Sequence, residues 1–377
     1  MTTLTPQRAD IAGAVRALAP QLLSLSHDLH DHPELAWREH RSSAVLASTL
    51  ERAGLAVSRG AHGLPTAFVA HAGTRGPLVV LCCEYDALPG LGHGCGHNVI
   101  ASAAAGAGAV LAPLAARRGG RVVVLGTPAE EGGGGKIELL ARGAFDGAAA
   151  ALLAHPGPND QVRATFRAAA SWRVAFRGRA AHAAMAPEQG RNALDAALLA
   201  YDALRAARPT LAFGDQVTAV LTEGGRAPNV VPDRALLRVM TRAAEARRLP
   251  ALAAVVRRAA DAGALATGCS VAVRPDGPTY REVRSDPWLA SRAEVHLRSL
   301  GRHPLPPRES DVLTAGSTDL GNVSHLVPAL HPKLGIGAVP QHSAEFARAA
   351  VSPAGDRAVL DGAALLAHLT LDIWNRT

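Results

Sequence analysis

The chain is poor in several residue types, and each shortage argues against a class of protein. Four cysteines among 377 residues are too few for a disulfide scaffold and favour a reduced, cytoplasmic protein. No uninterrupted apolar run reaches the roughly 18 residues of a membrane span, so we expect none. The N-terminus lacks a basic start followed by an apolar block, unlike a secretory signal peptide.

Aromatic residues and clustered charges are also scarce. Aromatic side chains make up 3% of the chain, too few for stacking platforms on nucleic-acid bases. The net charge is +7, but the basic residues are spread along the chain without a block of like charge. Lysine occurs only at Lys136 and Lys333. We therefore expect no nucleic-acid partner and an arginine-rich solvated surface, with an anion-binding pocket as an alternative.

The composition that remains is that of a globular protein, 48% apolar and 19% charged, long enough for one large or two ordinary domains. Helical periodicity covers residues 11–34 and 40–55 and recurs near 98–116, 136–142, 286–301 and 356–374. Between the early helices lie apolar bursts of strand length. They are "TAFVAHA", "LVVLCCEY", "RVVVLGTP" and "AAALLAHP". This alternation predicts an α/β fold with a mostly buried sheet.

The middle of the chain has a different pattern. Four alternating strand-like segments and two helical ones follow the order β-α-β-β-α-β over residues 168–279, the order of a ferredoxin-like unit. We predict an inserted domain there, with residues 1–167 and 280–377 forming one catalytic domain around a mixed sheet. Two chain crossings, near 167 and 280, would make the insertion a mobile lid or a dimerisation module.

Two glycine-rich stretches fail as phosphate-binding loops. "GLGHGCGHNV" (90–99) has no register that satisfies G-x-G-x-x-G, and "EEGGGGKIE" (130–138) lacks both the first glycine and the hydroxyl residue of a P-loop. The first stretch instead carries Cys95 and His97, which are ligands for Zn²⁺ and similar ions. Taken alone, the pair is weak evidence, and a small buried cysteine with a capping histidine is the alternative.

Further ligand-type residues favour a metal site. The pair Glu130–Glu131 follows one predicted strand, and two adjacent carboxylates repel each other unless a cation or a shared proton offsets their charge. His155 ends another strand and His342 lies in a loop before a helix. The carboxyl ends of strands are where α/β sheets bind ligands.

With these motifs the chain resembles the M20 metallopeptidases, and within them the aminoacylase branch that includes aminobenzoyl-glutamate hydrolase and β-alanyl-lysine dipeptidase-like proteins. The resemblance implies a zinc-exopeptidase-like catalytic domain and covers nearly the whole chain. Its segments are "HDLHDHPELAWREHRSS", "CEYDALPGLGHGCGHNVIA", "GTPAEEGGGGKIELLARGAFDG", "AHPGP", "FRGRAAHAAMAPEQGRNALDA", "GGRAPNVVPD" and "GSTDLGNVSHLVPALHP".

The resemblance implies two divalent metal ions, of zinc, manganese or cobalt. Cys95 would bridge them. Glu131 and His342 would complete one site, and His97 and His155 the other. The family's usual histidine ahead of "DALP" is replaced by Glu84.

The resemblance also implies catalytic roles. Glu130 would take a proton from the attacking water and pass it to the leaving amine. Asp86 would orient a ligand imidazole, although a turn-capping aspartate is the alternative. His182 of the inserted domain would donate to the developing oxyanion, sometimes from the partner of a homodimer, and Asn229 would help to hold the same oxygen or the substrate. A surface histidine after a strand is the alternative for His182.

The expected activity is metal-dependent hydrolysis of an N-acyl amino acid or a dipeptide-like amide. A specific dipeptidase of the β-alanyl-lysine type and a non-catalytic binding relative are the alternatives. Arg191 and Arg242 are candidates for binding a substrate carboxylate, or are simply solvated. The acyl group and the amino acid do not follow from the sequence.

Overall fold

The computed structural model describes residues 6–376, with side chains from residue 11. The chain divides into two compact units. Unit 1 comprises residues up to Thr165 together with Val283–Arg308 and Asp319–Thr377, and unit 2 comprises Phe166–Glu282 and Glu309–Thr318.

The helices lie close to the periodic segments of the sequence. They are α1 (Pro6–Asp31), α2 (His40–Arg52), α3 (His97–Arg118), α4 (Gly135–Ala141), α5 (Ala193–Ala207), α6 (Leu249–Thr267), α7 (Pro287–Ser299), α8 (Asp311–Thr314), α9 (Leu320–Ser324), α10 (Ala344–Ala349) and α11 (Pro353–Trp374).

The strands include the predicted apolar bursts and several shorter segments. They are β1 (Ala56–Arg59), β2 (Phe68–Ala72), β3 (Leu78–Cys83), β4 (Arg121–Gly126), β5 (Ala148–Leu152), β6 (His155–Gly157), β7 (Ala168–Arg177), β8 (Gln216–Glu223), β9 (Arg234–Ala243), β10 (Ser270–Pro275), β11 (Ala329–Leu330) and β12 (Lys333–Gly335).

Unit 1 is built on a six-stranded sheet in the order β1-β2-β4-β3-β5-β11. Strand β3 is parallel to β4 and β5, whereas β2 is antiparallel to β4 and to β1. The predicted mixed sheet flanked by helices is therefore confirmed. Because β3 and β4 are parallel neighbours, the loops after them lie at the same edge of the sheet, and the candidate site is built there.

Helix α3 is apolar enough in length and composition to cross a membrane, but 72% of its most apolar window is buried inside the protein. A helix that is apolar on all sides is typical of a protein core. Here α3 packs against α1, α11 and the sheet. Its composition is therefore weak evidence for a membrane span.

His155 does not simply end the predicted strand "AAALLAHP". Strand β5 ends at Leu152, and His155 begins the separate strand β6, which pairs in parallel with β12. The neighbouring strand changes in the same way, because β11 pairs with β5 before β12 pairs with β6. The pair β5 and β11 is thus interrupted at the same level and is followed by the separate pair β6 and β12. No local pattern in the sequence predicts this interruption.

Unit 2 has the predicted order β7-α5-β8-β9-α6-β10, and its antiparallel sheet is ordered β10-β7-β9-β8. Its core consists mainly of alanine, valine and leucine from these elements. The ferredoxin-like topology predicted from the alternating pattern is therefore present.

The prediction of only two crossings between the units is wrong. Residues 309–318 return to unit 2, so the chain passes between the units four times. Arg167 anchors this segment, donating Nε to Ala315 O at 2.9 Å and its backbone N–H to Gly316 O at 2.8 Å. These contacts join residues far apart in sequence, and the segment has no strand or long-helix pattern. Four crossings also weaken the argument for a simple hinge.

Candidate metal centre

The loops at the carboxyl edge of the unit 1 sheet bring chemically active side chains together. Glu84 and Asp86 follow β3, and Glu130 and Glu131 lie between β4 and α4. Cys95 lies two residues ahead of His97, the first residue of α3. Gly96 between them has φ +78°, and a Cβ there would lie 2.5 Å from Pro156 Cγ. Glycine therefore lets the cysteine and the histidine face the same space.

The five predicted metal ligands lie close together, and we call them the ligand cluster: Cys95, His97, Glu131, His155 and His342. Their donor atoms form two groups of three, each with all atoms within 4.8 Å of one another. One group contains Cys95, His97 and His155, and the other contains Cys95, Glu131 and His342. The Cys95 thiol is the member common to both groups.

Individual distances define the cluster further. Cys95 Sγ lies 3.6 Å from His155 Nε2, and His342 Nε2 lies 3.4 Å from Glu131 Oε1. His342 has φ +61° and donates its backbone N–H to Gly94 O at 2.9 Å, which fixes its loop beside Cys95. Its imidazole is half exposed, whereas His97 is fully buried.

Two donor atoms of the cluster suit a cation. His97 Nε2 and Glu131 Oε1 are buried and have no hydrogen-bond partner among the residues that the structure describes. Buried polar atoms of this kind are rare and costly in folded proteins. Thiolate, imidazole and carboxylate are ligands for zinc and similar divalent ions. The residues present therefore fit a metal centre.

Asp86 contacts two members of the cluster. Its Oδ1 lies 3.1 Å from His97 Nδ1, and its Oδ2 accepts the backbone N–H of Glu131 at 2.9 Å. Burial raises the pKa of Asp86, but the charge and hydrogen bond of His97 outweigh it and hold that pKa below its usual value. A carboxylate here leaves His97 Nε2 facing the site, as expected of a ligand's hydrogen-bond partner.

Burial also shifts the protonation of Cys95 and Glu130 in the metal-free protein. Burial and the charge of Glu131 raise the pKa of the Cys95 thiol. Burial, followed by the charges of Glu84 and Glu131, raises the pKa of Glu130 well above its usual value. A bound cation would oppose these shifts by stabilising thiolate and carboxylate.

A second buried cluster lies beside the first and was not predicted from the sequence. In this lysine cluster of Glu84, Lys136 and Asp319, Lys136 Nζ lies 2.6 Å from Glu84 Oε1 and 2.7 Å from Asp319 Oδ1. All three side chains are fully buried. Glu130 has a carboxylate oxygen within 4.8 Å of oxygens of Glu84 and Asp319. The scarcity of lysine was the one available signal.

The other predicted residues lie in unit 2. His182 is exposed, and its Nδ1 accepts the backbone N–H groups of Ala184 and Met185 at 3.3 and 3.2 Å. Its neighbour Ala183 donates its backbone N–H to Asn229 O at 3.0 Å, so the loops of the two predicted oxyanion residues are adjacent. The roles of His182 and Asn229 toward the metal centre stay predictions.

The two candidate arginines differ in their surroundings. Arg191 is exposed, and its backbone pairs with that of Arg179. Arg242 is partly buried at the end of β9 and donates Nη1 to Ser317 Oγ at 2.7 Å. Burial lowers the pKa of Arg242. The description of Arg191 as a solvated residue fits its exposure, whereas Arg242 has the more enclosed setting.

Comparison with known proteins agrees with this geometry. The model of peptidase family M20/M25/M40 matches residues 81–361. The Xaa-Arg dipeptidase of Mus musculus is 38% identical over 94% of this chain and 86% of the mouse protein. The chain belongs to peptidase family M20. The predicted resemblance is therefore confirmed, and this M20 protein is a hydrolase of amide or peptide bonds.

Other relatives support the same placement. One of the two p-aminobenzoyl-glutamate hydrolase polypeptides of Escherichia coli K12 is 35% identical over 71% of this chain and 60% of that protein. Among solved structures, a dinuclear metal-binding M20 peptidase from Bacillus subtilis matches with a TM-score of 0.74 and 20% identity. The match covers 96% of this chain and all of that one. This likeness shows that the two chains share a fold.

Proposed function

We propose that this M20 protein uses two divalent ions in the ligand cluster to hydrolyse the amide bond of a dipeptide or an N-acyl amino acid. The observation that carries the proposal is the position of the Cys95 thiol, which belongs to both three-atom ligand groups. Glu131 and His342 would hold one ion, and His97 and His155 the other. Zinc, manganese and cobalt all suit this donor set.

Glu130 is the proposed base. The bound ions would supply Lewis acidity, which polarises the scissile carbonyl and lowers the pKa of water. Glu130 lies next to Glu131 in sequence, and its Oε2 is 4.0 Å from His97 Nε2. From that position its carboxylate accepts a proton from the attacking water and delivers it to the leaving nitrogen, so the amide C–N bond breaks to give an acid and an amine.

His182 and Asn229 are proposed to act on the oxygen of the scissile carbonyl. With His182 Nδ1 occupied by two backbone N–H groups, Nε2 carries the proton and is the donor left for a substrate. A donor that meets charge formed only during the reaction acts chiefly on kcat. Unit 2 is proposed to be a lid or a dimerisation module that brings His182 to the scissile carbonyl.

Arg242 is the better candidate for a substrate carboxylate. Neither Arg242 nor Arg167 forms an ion pair with a carboxylate among the described residues, and both guanidinium groups have lowered pKa values because of burial, Arg167 also because of the Arg242 charge. The Arg167 guanidinium already donates to Ala315 O and Gln216 Oε1. The enclosed Arg242 guanidinium is therefore the one that favours an anionic ligand. The free carboxylate of a dipeptide or an acylated amino acid has this chemistry.

The proposed substrate class is a dipeptide with a basic C-terminal residue. The support is similarity to the mouse and human proteins named Xaa-Arg dipeptidase, which covers 94% and 96% of this chain. Hydrolysis of p-aminobenzoyl-glutamate is the second candidate, because the chain is 35% identical to a polypeptide of the E. coli hydrolase of that name. The two substrates differ in the charge of the side chain beside the scissile bond.

A substrate panel tests the proposal. Dipeptides ending in arginine, lysine or glutamate, p-aminobenzoyl-glutamate and N-acetyl amino acids are incubated with the protein, with and without added Mn²⁺, Co²⁺ or Zn²⁺. We expect released amino acid only with metal, and the highest kcat/KM for the arginine and lysine dipeptides. Preference for the glutamate compounds would favour the second candidate. Failure with every substrate in metal-loaded protein would favour a binding relative.

We further propose a cytoplasmic homodimer. Cys82, Cys83, Cys95 and Cys269 are free thiols, as in proteins of a reducing compartment. Leu198 and Leu199 of α5 expose nearly half of their surface, which suits contact with a second copy. Sedimentation equilibrium of the full chain measures the oligomeric state, and a concentration-independent monomer would contradict the dimer.

A further inference from the structure

Glu39 is a buried acid whose side chain reaches the loop that carries Glu130. It occupies the N-cap position of α2, where a shorter polar side chain usually caps the helix, and its own side chain makes no cap hydrogen bond. Its Oε1 instead accepts the backbone N–H groups of Trp37 and Ala129, each at 2.9 Å. The side chain therefore connects the segment before α2 to the residue directly ahead of Glu130.

The loop that Glu39 holds has an unfavourable backbone conformation. Ala129 has φ +57°, a left-handed conformation that residues with a Cβ rarely adopt. The space around it is closed, because a Cβ at Gly133 would lie 2.6 Å from Ala129 Cβ and 2.8 Å from Trp37 Nε1. A strained residue of this kind persists only where its surroundings fix it.

Asp86 holds the other side of the same loop. Its Oδ2 accepts the backbone N–H of Glu131 at 2.9 Å. The residues before and after Glu130 thus each donate a backbone N–H to a buried carboxylate, and the two carboxylates come from different loops. Two fixed points on either side of one residue limit the directions that its side chain can take.

We propose that Glu39 is a positioning residue that, together with Asp86, fixes the backbone on both sides of Glu130 and so aims the Glu130 carboxylate. The inference rests on the proposed role of Glu130 as the base. Glu39 acts through hydrogen-bond geometry, and its length matters more than its charge. Misplacement of a reacting group by about 1 Å is enough to lower a rate roughly a hundredfold.

Glu34 provides a matched control in the same segment. Its carboxylate accepts the backbone N–H of Arg41 at 3.0 Å and of Ser42 at 2.7 Å, and the Ser42 hydroxyl at 2.8 Å. These bonds hold the first turn of α2, and none of them involves the loop of Glu130. Shortening Glu34 therefore disturbs the same helix without releasing Ala129.

The test compares Glu39→Asp, Glu39→Gln and Glu34→Asp in the full-length, metal-loaded protein. For Glu39→Asp we expect kcat to fall on the order of tenfold to a hundredfold, with KM and bound metal nearly unchanged, because the shorter side chain no longer reaches Ala129. Glu39→Gln keeps the length and an acceptor oxygen, so its kcat stays within about fivefold of wild type. Glu34→Asp keeps wild-type kcat.

Three results would overturn the proposal: wild-type kcat in Glu39→Asp, an equal fall in Glu39→Gln, or an equal fall in Glu34→Asp. Amide hydrogen exchange of residues 128–134 gives a readout that does not need activity. It should be faster in Glu39→Asp than in Glu34→Asp. If wild type hydrolyses nothing, the proposed function fails, and exchange alone decides whether Glu39 holds the loop. Equal exchange in both variants would show that it does not.

Discussion

The lysine cluster and the ligand cluster lie side by side in unit 1 and handle buried negative charge in different ways. Glu84 and Asp319 share the ammonium of Lys136 at 2.6 and 2.7 Å. Glu131, the carboxylate of the ligand cluster, forms ion pairs only with histidines among the described residues, at 3.4 and 3.8 Å. The first cluster contains its own permanent cation, and the second does not.

The proposed roles of the two clusters follow from this difference. A buried carboxylate is expensive unless a cation and hydrogen bonds offset its lost hydration. In the lysine cluster the Lys136 ammonium pairs with both carboxylates and donates a hydrogen bond to Asp319 Oδ1 at 2.7 Å, so a cation is already present there. The ligand cluster instead combines a thiol, imidazoles and a carboxylate, and some of their donor atoms are buried without a hydrogen-bond partner among the described residues. This donor set suits a divalent ion. Glu130 lies between the two clusters.

The largest expected effect comes from removing the internal cation. Lys136→Met leaves Glu84 and Asp319 buried without their partner, so the free energy of unfolding should fall by about 3–5 kcal/mol. Urea denaturation of the metal-free protein measures it. Arg205→Met is the control, since Arg205 pairs with Asp202 at 3.3 Å on the exposed surface, where an ion pair contributes little, and a much smaller loss is expected. Equal losses in the two variants would contradict the comparison.

The next effect concerns a residue that belongs to neither cluster. His182→Ala should leave both clusters and the bound metal intact but lower kcat roughly 10²–10³-fold, the range for loss of one oxyanion donor. Steady-state kinetics with parallel metal analysis measures it. If the protein is a dimer, this variant is mixed with Glu130→Gln and the subunits are allowed to exchange. Restored activity would show that His182 acts across subunits, because one intact site would then be built from two chains. Wild-type kcat in His182→Ala would remove the histidine from the mechanism.

The two adjacent glutamates should separate chemistry from metal binding. Glu130→Gln keeps the size of the side chain but removes the base, so kcat should fall roughly 10²-fold while metal content stays the same. Glu131→Gln should instead lose bound metal. Elemental analysis of both purified variants, alongside kcat, makes the distinction. The reverse result would exchange the two assignments, so that Glu130 would be the metal ligand and Glu131 the base.

Glu39 is a third kind of buried acid, which among the described residues has neither a lysine partner nor a place in the ligand cluster. Burial raises the pKa of Glu39 from 4.5 to about 7. Between these two pH values the folded protein binds more protons than the unfolded chain. The contribution of protonated Glu39 to the free energy of unfolding is therefore fully present below pH 4.5 and is lost as the pH rises to about 7. The slope is about 1 kcal/mol per pH unit in that window. Glu39→Gln removes it, and matching slopes for wild type and variant would contradict the shift.

Much of the fold follows from local patterns in the sequence. Apolar bursts between helical segments predicted the unit 1 sheet, and the alternating segments after residue 168 predicted the order of unit 2. Cys95, His97, Glu131, His155 and His342 were recognised from their positions near strand ends and from the M20 resemblance. The parallel strands β3 and β4 bring the loops of Cys95 and Glu131 to one edge of the sheet. His155 in β6 and His342 before α10 join them through contacts that this rule does not predict.

Contacts between distant residues could not be predicted in this way. Lys136 and Asp319 are 183 positions apart, and Glu39 and Ala129 are 90 apart. A lysine after a glycine run and an acid before a helix have the same local pattern whether they are solvated or buried. Residues 309–318 accept hydrogen bonds from Arg167 and Arg242 of unit 2, and such contacts leave no periodicity in the sequence.

The ligand cluster, unlike the lysine cluster, should take its cation from solution and need it for hydrolysis. Chelator-treated, dialysed protein is titrated with Mn²⁺, Co²⁺ or Zn²⁺, and bound metal per chain and turnover of an arginine dipeptide are measured on the same samples. We expect no turnover without metal and a rise in step with binding, with Cys95→Ser recovering neither. Full turnover in protein shown by elemental analysis to be metal-free would contradict this dependence.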